Sequence, residues 1–73
     1  MNMWALTELG RRISGDIGQP KGDNTDVLYY LHQMRTASTS EIAAGCRLTD
    51  ARAGATLRRL RRKGFVKELG GDA

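Results

Sequence analysis

The stretch that decides the fold runs from Ser38 to Leu69 and reads STSEIAAGCRLTDARAGATLRRLRRKGFVKEL. Ser38 followed by Glu41 is a capping box, in which each side chain satisfies a backbone N–H at a helix start. The helix it opens turns Ile42, Ala43 and Cys46 inward. Arg47-Leu48 is the turn; such turns often carry glycine at positive φ, so either Arg47 takes that place at a small cost or the turn differs. Thr49 caps the next helix, and Asp50 in its first turn suits the helix dipole. Gly64 ends that helix in the left-handed conformation, and Phe65 to Leu69 follow as a strand.

Working outward, the chain before Ser38 reads as two further helices. Met1 to Leu6 is a short strand; Thr7 caps a helix with Glu8 in its first turn, Leu9 and Ile13 on one face, and Gly15 at its end. Asp16 to Asn24 collects Gly, Pro, Asp and Asn and is a connecting loop. The next helix is expected to take Asp23 or Asn24 as its cap, with Asp26 in the first turn. Its core face is expected to hold Val27, Leu28, Leu31 and Met34, flanked by Tyr29 and Tyr30. Arg35 to Ser38 is a short link with room for a strand of two or three residues.

Charge is distributed unevenly along the chain. The 73 residues carry a net charge of +4. Arg47 to Lys63 hold seven Lys/Arg against one acid, Asp50, a local charge of +6, whereas the remainder carries five bases and seven acids, −2. At 100° per residue, Ala53, Leu57 and Leu60 fall within about 60° of one another and define the core side of the helix Thr49–Lys63. Opposite them stand Ala51, Ala55, Arg58 and Arg62, with Arg52 and Arg59 alongside. Arginine-rich faces are often mere solvated surfaces, but those usually intersperse Glu with Arg, and no acid occurs between Arg52 and Lys63. A cationic helix of this kind points to nucleic acid.

Other chemistries find little support. A single domain over 1–73 buries only about 60% of its unfolded surface, which leaves little room for an enclosed substrate pocket. One Cys cannot form an internal disulfide, and with one His it cannot complete a tetrahedral metal site, so a reducing cytoplasm and no cofactor are expected. No apolar run approaches the roughly 18 residues of a membrane helix, and Met1 to Leu6 lacks a signal peptide's charged start. Cys46 reads as a small buried hydrophobe, His32 as a histidine without metal partners, and Trp4 as core. Gly15, Gly18 and Gly22 do not form a phosphate-binding fingerprint, and no serine or cysteine has a His/Asp partner at catalytic spacing, so no enzyme activity is expected. Mid-helix Gly54 is expected to mark close packing against a neighbouring helix.

From Thr25 to Leu69 the chain resembles the winged helix-turn-helix domains of small prokaryotic transcription regulators, the MarR/ArsR/PadR-like group. The matching parts are VLYYL, SEIAA, LT, DARAGATLRRLRRK and GFVKE, over about 45 of 73 residues. The resemblance implies a mainly α fold with a small β-sheet: four helices plus two or three strands. It also implies double-stranded DNA as partner and a transcriptional regulator in the cytoplasm, associated with the nucleoid. Carried over by position, recognition contacts fall on Ala51, Arg52, Ala55, Thr56 and Arg59, with Arg47, Arg58 and Arg62 nearer the phosphates. In that group a second wing strand and an LTxxGR helix follow the first wing strand. Here WALTELGRRI stands at the N-terminus instead. Asn2 to Leu6 is therefore expected to pair antiparallel with Phe65 to Leu69, either within the chain or between two chains as a homodimer. A protein-interaction module that docks the basic helix on an acidic partner is the alternative reading, since fold alone does not fix function.

Overall fold

A computed structural model describes residues 3–69, with the elements β1 (Met3–Leu6), α1 (Glu8–Ser14), α2 (Asp23–Met34), β2 (Thr36–Ser38), α3 (Thr39–Cys46), α4 (Asp50–Arg62) and β3 (Val66–Leu69). The fold is mainly helical with one small antiparallel sheet, in a winged-helix-like arrangement. The strand order is β2-β1-β3, so the strand nearest the N-terminus lies in the middle. The expected pairing forms within the chain, with Met3 opposite Leu69 and Leu6 opposite Val66. On its other edge β1 pairs Met3 with Ser38 and Ala5 with Thr36, so the short link before Ser38 is a strand too. Met1 and Asn2, the first residues of the expected strand, lie outside the described residues.

One core joins these elements. Trp4 and Leu6 from β1, Val27, Leu28 and Leu31 from α2, Ile42 and Ala43 from α3, Ala53, Leu57 and Leu60 from α4, and Val66 from β3 pack as a single cluster. Trp4 is buried, and its indole Nε1 donates to Thr39 Oγ1 at 2.9 Å, so the polar edge of the largest core side chain is satisfied. Met34 departs from expectation: it is 53% exposed. It shares a face with Leu31 but is the last residue of α2, where Arg35 turns the chain away at φ 73°. Leu9, paired with Ile13 in the sequence reading, is likewise exposed.

The start of α2 also differs. Its N-cap is Gly22, which offers no side chain to cap with, and both Asp23 and Asn24 lie inside the helix. The Thr25 hydroxyl instead accepts from the Lys21 N–H at 2.8 Å and donates to the Gly22 carbonyl at 3.1 Å, stitching the loop to the first turn. Asp23 and Asn24 are engaged elsewhere, as described below.

The end of α4 sets the position of β3. Gly64 sits at φ 82°, its N–H donates to the Arg61 carbonyl at 3.0 Å, and Phe65 N–H donates to Leu60 at 3.0 Å, the paired bonds of a Schellman motif. Thr7 then ties this corner to α1. Its hydroxyl accepts from Gly10 N–H as the α1 cap and donates to the Gly64 carbonyl at 2.6 Å, while its own N–H donates to Phe65. Gly10 is buried directly against that corner, where a Cβ would collide with the Phe65 backbone carbonyl. Thr7→Ala removes a cap and an inter-element hydrogen bond and should cost about 1–2 kcal/mol. Gly10→Ala forces backbone to move and should cost more than Thr7→Ala; chemical denaturation of the two variants in parallel checks the order.

Candidate nucleic-acid interface

The candidate surface is built from two capped helices. Ser38 Oγ accepts from Glu41 N–H at 3.2 Å while Glu41 Oε1 accepts from Ser38 N–H at 2.8 Å, so the capping box is closed and α3 starts where the sequence indicates. Helix α3 ends on Arg47 in the left-handed region, φ 61° and ψ 42°, with Leu48 N–H bonded to the Ala43 carbonyl at 2.8 Å. A non-glycine residue here costs about 1–2 kcal/mol. Thr49 then caps α4 by accepting from Arg52 N–H at 3.1 Å.

The register of α4 follows from its sequence. Ala53 and Leu57 are 0% exposed and Leu60 is 1% exposed, which fixes the core side of the helix. Ala51, Ala55, Arg58 and Arg62 consequently stand on the opposite, exposed side. Arg47, Arg52, Arg59, Arg61 and Lys63 are exposed as well. A row of cations thus faces outward along the C-terminal half, and small methyl groups face outward along the N-terminal half.

Two corrections apply to this helix. Thr56, expected among the recognition contacts, is buried at 1% exposure. It lies only about 60° from the Ala53–Leu57–Leu60 stripe, close enough to be covered, and its Oγ1 accepts from Arg59 Nη2 at 3.4 Å. Gly54 is not pressed against a neighbouring helix: a Cβ there would meet only Arg58 Nη1, at an ordinary 3.6 Å. The glycines that do require a close approach are Gly10 and Gly45, the latter beneath the Tyr30 ring.

The arginines differ in how they are held. Arg52 donates from Nη2 at 2.7 Å and Nε at 3.2 Å to the same oxygen, Asp23 Oδ2. Arg59 makes the same two-to-one contact with Asn24 Oδ1, at 2.9 Å from Nη2 and 3.2 Å from Nε. Arg61 reaches Glu68 Oε1 on β3 at 3.5 Å, an exposed pair worth little. Among the described residues, Arg58 and Arg62 enter no ion pair and no side-chain hydrogen bond. Together with Arg61 they line a concave surface of about 310 Å³.

The remaining chemistry is modest. Cys46 is half-buried, its thiol donates to the Asp26 carbonyl at 3.5 Å, and burial first, then the charges of Asp26 and Asp23, push its pKa up. Such a thiol is less reactive, not more. His32 Nδ1 pairs with the buried Ser14 hydroxyl at 2.8 Å and fastens α1 to α2. Among the described residues no group of three potential metal ligands stands together, and no helix is long and apolar enough to cross a membrane. A shallow groove beside Tyr29 and Tyr30, of about 310 Å³, is bordered by Asp26, Cys46 and Arg47.

Scans of protein-family models, curated proteins and solved structures find no match to this chain. The resemblance to winged-helix regulators therefore rests on the quoted residues alone.

Because the space at Gly54 is open, replacing it should relieve the roughly 1 kcal/mol that glycine costs in a helix. Gly54→Ala should raise the thermal midpoint by about 4–8 °C for a domain of this size, measured by circular dichroism; a lower midpoint would show that the position is packed after all.

Proposed function

We propose that the protein binds double-stranded DNA with sequence preference, laying α4 in the major groove as a transcriptional regulator does. The observation that carries this reading is the outward face of α4. Its N-terminal half exposes Ala51 and Ala55, and its C-terminal half exposes Arg58 and Arg62, on the side opposite a fully buried Ala53–Leu57–Leu60 stripe.

The division suits a duplex. In helix-turn-helix docking the N-terminal part of the second helix enters the groove. Small side chains there permit close approach, and alanine methyls can meet thymine methyls. Cations nearer the C-terminal end then meet phosphates, which orient the protein without reading sequence. An acidic protein surface would be met by the arginines as readily, but it gives no reason for the bare alanine half. Arg47 fits the same reading, because the turn between α3 and α4 leaves this cation exposed three residues before α4 begins.

Thr56 drops out of the contact set, and Ala51, Arg52 and Ala55 remain as candidates for base edges. Arg47, Arg58, Arg59 and Arg62 are candidates for phosphates, joined by Arg61 and Lys63. With four to six phosphate contacts, log affinity should fall against log salt with a slope of roughly −4 to −5. Arg62→Ala should flatten that slope by about 1 and weaken all duplexes alike. Fluorescence anisotropy over a salt series checks both, and a slope near zero would remove the reading.

A further inference from the structure

Asp23 and Asn24 are residue types that ordinarily cap helix starts, and they lie at the start of α2 without doing so. Their oxygens are turned to α4 instead, where each accepts two N–H groups from one arginine. The Arg52–Asp23 pair is exposed, at 65% and 26%, so it contributes little to stability. Its consequence is geometric.

A guanidinium has five N–H donors in a rigid fork. In Arg52 the Nε hydrogen and one Nη2 hydrogen go to Asp23 Oδ2. The two Nη1 hydrogens and the second Nη2 hydrogen are left, and the Nη1/Nη2 edge is intact. That edge can donate two parallel bonds to O6 and N7 of a guanine in the major groove. Arg59 is held by Asn24 through the same edge, but its Nη2 also donates to Thr56 Oγ1. Both Nη2 hydrogens are then committed, and Arg59 keeps no complete Nη1/Nη2 fork. The two arginines are seven residues apart on one side of α4, yet they are equipped for different work.

We propose that Asp23 is a specificity-determining positioning residue: by holding the inner edge of Arg52, it aims the outer edge at one guanine. The proposal deepens the DNA-binding reading and rests on it. Arginine carries a large rotamer entropy, and less is lost per bond when the fork is already oriented. Asp23 also offsets the charge of Arg52 locally, so Arg52 supplies selectivity while Arg58 and Arg62 supply attraction.

The test starts from a duplex selected by the wild-type protein from a random pool. Affinities are then measured for that duplex and for versions with each G·C pair replaced by A·T, using wild type, Asp23→Ala, Asp23→Asn and Arg52→Ala. Wild type should discriminate at one G·C pair by roughly tenfold or more. Arg52→Ala and Asp23→Ala should both lose discrimination at that same pair. Mismatched duplexes should bind Asp23→Ala more tightly than wild type, because a carboxylate beside the phosphates is gone. Asp23→Asn should keep the discrimination, since an amide oxygen holds Arg59 in the same way. If Asp23→Ala discriminates at that pair as wild type does, the positioning role is overturned while the DNA reading stands. A wild-type protein that selects no duplex overturns both.

Discussion

Burial of Ala53, Leu57 and Leu60 against the other helices is the constraint on which the rest depends. A helix can rotate about its axis only at the expense of its apolar contacts. Two fully buried leucines at helical spacing hold α4 in a single rotational setting, and truncating either would cost about 2–5 kcal/mol. A domain of this size has only a handful of kcal/mol to lose. The outward direction of Ala51, Ala55, Arg58 and Arg62 is thus a consequence of core packing.

The sheet and the loops serve that setting. β1 lies between β2 and β3 and brings Trp4 and Leu6 into the common core. The Schellman turn at Gly64, bonded to Thr7, fixes where α4 ends and β3 begins. At the other end, the closed Ser38–Glu41 box and the Thr49 cap fix the starts of α3 and α4. The start of α2 contributes in a different way, lending Asp23 and Asn24 to the arginines of α4.

Much of this was legible in the sequence because it is local. Caps, the left-handed Gly64 and the α4 stripe are set by residues within a turn or two of each other, and of the two readings open for Arg47 the structure takes the one at positive φ. The β1–β3 pairing was legible through the resemblance, in which WALTELGRRI takes the place of the second wing strand and its helix, and because an unpaired β1 would expose Trp4 and Leu6. What was not legible depends on distant partners. The Arg52–Asp23 and Arg59–Asn24 contacts span 29 and 35 residues, and helix-start propensity alone pointed Asp23 and Asn24 to the wrong task. Thr56 was misplaced because the resemblance carried it over by position, although its angle, about 60° from Ala53, sets it beside the core stripe. Met34 failed for the converse reason: its angle is right, but the helix ends there. Gly54 and Gly10 could not be ranked from sequence, since the neighbour that decides each lies outside any local window.

The surface that results has one heavily cationic helix face and a shallow tyrosine-lined groove whose border includes Arg47. The most direct test of the central claim is a backbone amide NMR titration with a short mixed-sequence duplex. The account predicts the largest shifts at Arg47, Ala51, Arg52, Ala55, Arg58 and Arg62, with Ala53, Leu57 and Leu60 following weakly through the shared backbone. Shifts confined to Tyr29, Tyr30 and Gln33, or none across α4 at low salt, would contradict it.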